Sequence, residues 1–331
     1  MQAAVTMSAL TKRFGEFTSV DHVSLEIMEG EIFGLIGPNG AGKTTLIRML
    51  TTLYPPTSGR ATVAGFDILR QPDSVRASIG VLPQAMTLDN ELTAWENMNI
   101  YAKYYHVPPQ IREERIRELL KMVGLLERAD YRVARFSGGM KRRLELVRSL
   151  IHRPRVLFLD EPTTGLDPQA RNAVWDYLRK LRDEEKTTLV ITTHFLDEAE
   201  TLCDRVAIID YGKVIVIGTS AELKRAATGG DVIEASFSSL GEDILDALEK
   251  LPIIRKVTKS QAGLTLLVEN GAEALPRIVE SVNASGGKIK SMTMREPTLD
   301  DVFLHFTGRS IREDTRIGRR RFIGMRGSFT R

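Results

Sequence analysis

Apolar and polar positions along the chain follow two rhythms. Residues 31–36, 156–160, 189–193 and 206–210 are short runs rich in leucine and β-branched residues, the pattern of strands buried on both faces. Between them lie stretches with apolar residues at spacings of three and four. Residues 43–53 form one helical stretch. Residues 140–151 form another, with Leu144, Val147 and Ile151 on one face and Pro154 stopping the helix before the next strand. Strands alternating with helices from residue 5 to about 224 predict an α/β domain with parallel strands.

The rhythm changes after residues 226–230 (Ala-Ala-Thr-Gly-Gly), which read as a linker. Residues 232–237 predict a strand, and 243–251 a helix with Ile244, Leu245, Leu248 and Leu251 on one side. Two strands follow at 253–259 and 264–269, then a helix at 272–284 and a strand at 288–294. That order, βαββαβ, is the split ferredoxin-like arrangement. Thr298 reads as the N-cap of a short final helix, with Asp301 at its third position. The expected organisation is an α/β domain over 1–225, a small α+β accessory domain over 231–307, and a tail over 308–331. No repeat relates the two domains.

Composition narrows the class. With 331 residues, 42% hydrophobic and 27% charged, the chain is neither disordered nor fibrous. No apolar run approaches the roughly 20 residues of a membrane span. Residues 1–10 lack the basic and apolar regions of a secretion signal, and the single Cys203 has no partner for an internal disulfide. A soluble protein of a reducing compartment is expected. The net charge of +3 is unevenly spread. Arginines 309, 312, 316, 319, 320, 321, 326 and 331 against Glu313 and Asp314 give the tail +6, leaving −3 on everything before it. The folded part therefore has no net basic character to suggest a nucleic-acid partner. The tail is either a solvated end or a contact for anionic lipid, at about 1 kcal/mol per basic residue near the surface.

Gly37-Pro38-Asn39-Gly40-Ala41-Gly42-Lys43-Thr44 matches the phosphate-loop pattern between a predicted strand and a predicted helix. The glycines let backbone N–H groups turn toward phosphate oxygens, and the helix adds its positive end. Lys43 would reach the β/γ phosphates, Thr44 would bind Mg²⁺, and Thr45 would donate from the first turn. The strand over 156–160 ends in Asp160-Glu161. Asp160 can complete the Mg²⁺ shell and Glu161 can act as general base on the attacking water. Ser137-Gly138-Gly139 opens a helix, with Ser137 as N-cap and exposed N–H groups to meet an anion. Trp95, Trp175 and Cys203 read as packing residues, and the five histidines form no zinc-like cluster with Cys203.

From about residue 5 to 223 these motifs, in this order, resemble the ATP-binding-cassette (ABC) ATPases. The fold class expected is thus a P-loop ABC-type nucleotide-binding domain followed by the small ferredoxin-like domain. The resemblance implies ATP and Mg²⁺ as cofactors. It also implies an adenine-stacking role for Phe14, a Q-loop at Gln84 that reaches Mg²⁺ and the reacting water, a signature at Ser137, Gly138 and Gly139, a D-loop with Asp167, and a switch histidine at His194. Phe136 and Met140 depart from the signature's usual Leu and Gln. In the family the signature of one subunit completes the phosphate loop of another, so a head-to-tail homodimer, or a mixed dimer with a relative, is expected around two ATP.

Phe136-Ser137-Gly138-Gly139-Met140-Lys141-Arg142-Arg143, Glu161-Pro162-Thr163-Thr164-Gly165-Leu166-Asp167-Pro168 and Arg295-Glu296-Pro297-Thr298-Leu299-Asp300-Asp301-Val302-Phe303 look like the drug-resistance, type-2 exporter branch. That branch implies a separately encoded six-span permease, a place on the cytoplasmic face of the cell membrane, and export of a drug, lipid or polysaccharide. The aromatic-rich residues 92–105 would lie on the permease-facing side. The alternative is a soluble ABC ATPase acting on nucleic acid or ribosomes, although such relatives carry two cassettes or a long coiled-coil insertion, and this chain has neither.

Overall fold

The computed structural model describes residues 2–238, 242–260 and 263–308. It divides into two units, Met1–Ile217 and Gly218–Arg331.

The first unit runs β1 (Ala3–Phe14), β2 (Phe17–Met28), β3 (Ile32–Ile36), α1 (Lys43–Leu50), β4 (Ser58–Val63), β5 (Phe66–Asp67), α2 (Pro72–Ser78) and β6 (Ile79–Leu82). It continues with α3 (Ala94–Tyr104), α4 (Pro109–Met122), α5 (Gly138–Arg148), β7 (Val156–Asp160), α6 (Pro168–Glu185), β8 (Thr188–Thr193), α7 (Leu196–Leu202), β9 (Arg205–Asp210) and β10 (Lys213–Gly218). A six-stranded sheet has the order β10-β9-β3-β8-β7-β6. Its pairs β9–β3, β3–β8, β8–β7 and β7–β6 are parallel.

The apolar runs of these strands have a plain cause. On β7, Val156 and Phe158 join one core with Phe33, Leu35 and α1, while Leu157 and Leu159 join another with residues of α4, α5 and α6. A strand covered on both faces must be apolar at every position.

The parallel sheet was the expected one; a second sheet was not. Strands β2-β1-β4-β5 form a four-stranded antiparallel sheet. Its signal is alternation: on β2, Val23, Leu25 and Ile27 are buried and His22, Ser24 and Glu26 are not. One face meets the core and the other meets water.

The second unit contains α8 (Ser220–Thr228), β11 (Asp231–Phe237), α9 (Glu242–Glu249), β12 (Ile254–Ser260), β13 (Gly263–Val268), α10 (Gly271–Ala284), β14 (Ile289–Arg295) and α11 (Leu299–Thr307). The sheet order β12-β13-β11-β14 is that of a ferredoxin-like βαββαβ unit. Ile244, Leu248, Ala274, Ile278 and Val282 of its helices cover Ile233, Leu264, Leu266 and Val268.

Several boundaries differ from the sequence reading; α1, for one, ends at Leu50 and not at residue 53. Residues 226–228 end helix α8, which packs on α11, and Gly229 (φ 58°) stops that helix by donating to the Arg225 carbonyl. The Ala-Ala-Thr-Gly-Gly stretch is therefore a helix end with its left-handed glycine cap, and the units divide earlier, at Ile217/Gly218. Helix α5 stops at Arg148, short of residue 151, where the amides of Leu150 and Ile151 take i→i+3 bonds to Val147 and Arg148. The arginine-rich tail, from residue 309 onward, lies outside the described residues.

Candidate functional site

Parallel pairing brings the motifs together. Ile36 pairs with Thr193, Asp160 with Thr192, and Leu82 with Leu159. The carboxyl ends of β3, β8, β7 and β6 therefore stand side by side. From them emerge, in turn, the phosphate loop, His194, Glu161 and Gln84, at the edge where open α/β sheets bind ligands.

The phosphate loop leaves β3 and enters α1 through Gly42, whose φ of 105° only glycine adopts readily. Gly37 is needed for a different reason: a Cβ there would sit 2.1 Å from the Ile209 carbonyl oxygen. Gly42 caps α1 without a side-chain bond, so the first amides of the helix have no side-chain acceptor. Lys43 is buried, and its Nζ donates to the carbonyls of Gly37 (2.7 Å) and Pro38 (2.9 Å). Burial lowers its pKa to about 8, against the opposing pull of Glu161 and Asp160. Ser19 Oγ donates to Thr45 Oγ1 at 2.9 Å.

Asp160 Oδ1 accepts from the Thr44 hydroxyl at 3.3 Å and from the Thr192 hydroxyl. Carboxylate and hydroxyl oxygens together are the hard donors that suit a small divalent cation bound mainly by phosphates and water. Among the described residues no group of three or more His, Cys, Asp and Glu is placed to hold a metal.

Glu161 is the hub. Its Oε1 lies 2.9 Å from His194 Nδ1, which carries the shared proton because an ionised carboxylate only accepts. Its Oε2 accepts from Gln84 Nε2 at 3.3 Å and from Thr164 Oγ1 at 3.1 Å. The His194 hydrogen bond holds the carboxyl below the ordinary glutamate range, against the effect of burial, so Glu161 stays ionised at neutral pH. Its backbone is left-handed (φ 51°), and its N–H is held by the carbonyl and the hydroxyl of Thr192, each at 3.1 Å.

The other candidates stand apart from this cluster. Ser137 caps α5 by accepting from the Met140 amide at 3.3 Å, leaving Gly138 and Gly139 in the first turn. Phe136 is buried in the core and Met140 packs partly against it, so both departures from the usual signature are hydrophobic contacts of this fold. Asp167 caps α6, accepting from Ala170 N at 2.8 Å. Phe14 ends β1 with 46% of its surface exposed, edge-on to Tyr54 at 5.8 Å; it is no core residue. Trp175 donates to buried Glu198 at 3.0 Å, and Cys203 packs beside Gly34, where a Cβ would come within 2.8 Å of its sulfur.

Three residues that sequence reasoning did not single out join the site. Thr164 reaches Glu161 from within the loop already quoted, Thr192 arrives by strand register, and Arg142 reaches the carbonyls of Asp160 and Glu161 at 2.9 Å each. Thr164 and Arg142 lay within quoted runs, but nothing in their spacing marked these contacts, and Thr192 had no local signal.

Comparison with known proteins identifies the family. The family model described as ABC transporter matches residues 20–164, and ATP-binding protein DrrA1-3-like, C-terminal domain, matches 218–307. The daunorubicin resistance ATP-binding protein DrrA3 of Streptomyces coeruleorubidus is 42% identical over 306 residues, 92% of this chain and 96% of that protein. The linearmycin resistance ATP-binding protein LnrL of Bacillus subtilis is 38% identical, covering 92% and 98%. The Nod factor export ATP-binding protein I of Ralstonia nicotianae is 40% identical, covering 93% and 95%. Among solved structures, the ATP-binding subunit of an ABC transporter aligns with a TM-score of 0.62 and 29% identity, over 67% of this chain and 92% of that one. A dimeric ATP-binding cassette in a post-hydrolysis state with ADP and Pi aligns at 0.60 and 28%, over 65% and 98%. The chain belongs to the ABC transporter family, as an ATP-binding and ATP-hydrolysing subunit that carries a DrrA-like C-terminal domain.

Proposed function

We propose that this subunit powers an exporter. Two copies, or one copy and a close relative, close head-to-tail around two ATP·Mg²⁺ and drive a separately encoded six-span permease from the cytoplasmic face of the membrane. The exported compound is a drug, lipid or polysaccharide, the range suggested by relatives named for daunorubicin and linearmycin resistance and for Nod factor export. The observation that carries the reading is the convergence of Gln84, Thr164 and His194 on the two oxygens of Glu161, beside the Lys43 loop.

In this reading the backbone amides of the phosphate loop and Lys43 bind the phosphates, and exposed Phe14 offers a ring face to adenine. Asp160, Thr44 and Gln84 would hold Mg²⁺, which would supply neutralisation of phosphate charge. Glu161 takes the proton of the attacking water, and His194 orients that carboxylate and the γ-phosphate. Ser137, Gly138 and Gly139 meet the nucleotide of the other copy, while Asp167 lies in the D-loop between the sites. No described helix is long and apolar enough to cross a membrane.

Co-expression with the permease of a neighbouring gene provides the test. ATPase activity raised by the permease in lipid vesicles is the expected result. Activity raised by RNA or DNA, and not by the permease, would overturn export in favour of a nucleic-acid role.

The depressed pKa of Lys43 gives a pH signature. Phosphate binds the protonated amine, and the amine of the free protein loses its proton near pH 8. Above that pH each ATP bound must take up a proton, so affinity is expected to fall about tenfold per pH unit. Calorimetric titration between pH 7 and 9.5 measures this, and a flat profile would detach Lys43 from phosphate binding.

A further inference from the structure

Arg142 stands in the second turn of α5, the helix that Ser137 caps, and its side chain is buried. All five of its N–H groups have an acceptor. Nε donates to the Pro162 carbonyl at 3.1 Å, and Nη2 to the carbonyls of Asp160 and Glu161, each at 2.9 Å. Nη1 donates to the Pro83 carbonyl at 2.6 Å and to Glu145 Oε2 at 3.3 Å. Four of these acceptors are main-chain oxygens. Three belong to consecutive residues around Glu161, and the fourth precedes Gln84.

A row of side chains at spacing three extends this grip. Glu145, 1% exposed, accepts at Oε1 from the Thr87 amide (2.6 Å) and hydroxyl (2.8 Å). Arg148 donates to the Thr87 carbonyl at 3.1 Å and lies 4.6 Å from the centre of the Tyr101 ring. One face of α5 thus holds the chain on both sides of Gln84 as well as the end of β7.

Buried charges of this kind are weak contributors to stability, because desolvation cancels most of their attraction. Their value lies in geometry. Left-handed backbone at a non-glycine residue such as Glu161 persists only where its surroundings over-determine it. Thr192 fixes the amide of Glu161, and Arg142 fixes its carbonyl and those on either side. A planar guanidinium can span these acceptors at once; an ammonium cannot.

We infer that Arg142 is a positioning residue, through which the signature helix sets the Glu161 carboxylate and Gln84 of its own chain. The inference rests on the reading of Glu161 as general base. On the head-to-tail arrangement, the helix that meets one nucleotide would therefore also set the base acting on the other.

The test is a double-mutant cycle in the full-length chain, with single-turnover hydrolysis and ATP binding measured separately. Arg142→Lys is expected to lower kcat at least tenfold, to leave ATP affinity within twofold, and to cost nothing further in a Glu161→Gln background. Unchanged kcat, or the same fractional loss in both backgrounds, overturns the proposal. Should Arg142→Lys lack a cooperative melt, Glu145→Gln takes its place, with a severalfold loss of kcat expected and the same non-additivity; an additive loss or none is again decisive against it. Wild-type turnover in Glu161→Gln alone would sink the base assignment first, and the positioning role with it.

Discussion

Glu161→Gln is expected to lower ATP turnover by about 10²–10⁴-fold while ATP binding survives, the contribution of a positioned general base. The substitution is close to isosteric, so its contacts can largely be kept. A glutamine oxygen accepts from His194 Nδ1 as Oε1 does at 2.9 Å. On the opposite side its amide meets the Gln84 and Thr164 side chains, now as a donor. Burial and backbone remain, but the site loses a carboxylate that His194 keeps ionised. Phosphate release and ATP retention in the purified variant give the readout. Turnover equal to wild type would remove Glu161 from the chemistry.

Lys43→Met should act earlier, on binding. The methionine fills much of the lysine's volume but leaves the Gly37 and Pro38 carbonyls without their donor. It also removes a buried cation that Asp160 and Glu161 favour, against the effect of burial, beside the phosphate loop. A charge-assisted hydrogen bond contributes about 1.5–3 kcal/mol, so ATP affinity should weaken by roughly 10–150-fold, with turnover reduced as well. Equilibrium binding of a fluorescent ATP analogue measures the first effect and initial rates the second. Unchanged affinity would show that the loop amides hold the nucleotide without this side chain. The two substitutions thus separate: one should give a protein that binds and stalls, the other one that binds poorly.

Much of this molecule was legible in the chain because the information is local. A glycine-rich turn between an apolar run and a helix pattern marks residues 37–44 by spacing alone, and an apolar run ending in Asp160-Glu161 marks the acidic strand. The βαββαβ order of the second unit follows from period, one helix or strand at a time. Where the reading failed, two local signals competed. The Ala-Ala-Thr-Gly-Gly stretch has linker composition, but the same glycine that loosens a linker caps a helix, and the contact of α8 with α11 decides between them. The N-terminal antiparallel sheet left its alternation in residues 22–27, a pattern masked by the stronger parallel strands that follow.

By itself, then, the sequence determined where phosphate and carboxylate chemistry is to be expected and which family arrangement these residues resemble, since spacing along the chain encodes both. Tertiary structure decided what surrounds Glu161. Its partners Gln84, His194, Thr192 and Arg142 lie between 19 and 77 residues away in the chain. They meet it because neighbouring parallel strands end together and because α5 presents its buried face to that edge. Hydrogen bonds depend on position to within a few tenths of an ångström. Only the pairing of Asp160 with Thr192 and of Leu82 with Leu159, and the packing of α5 beside them, supply that precision.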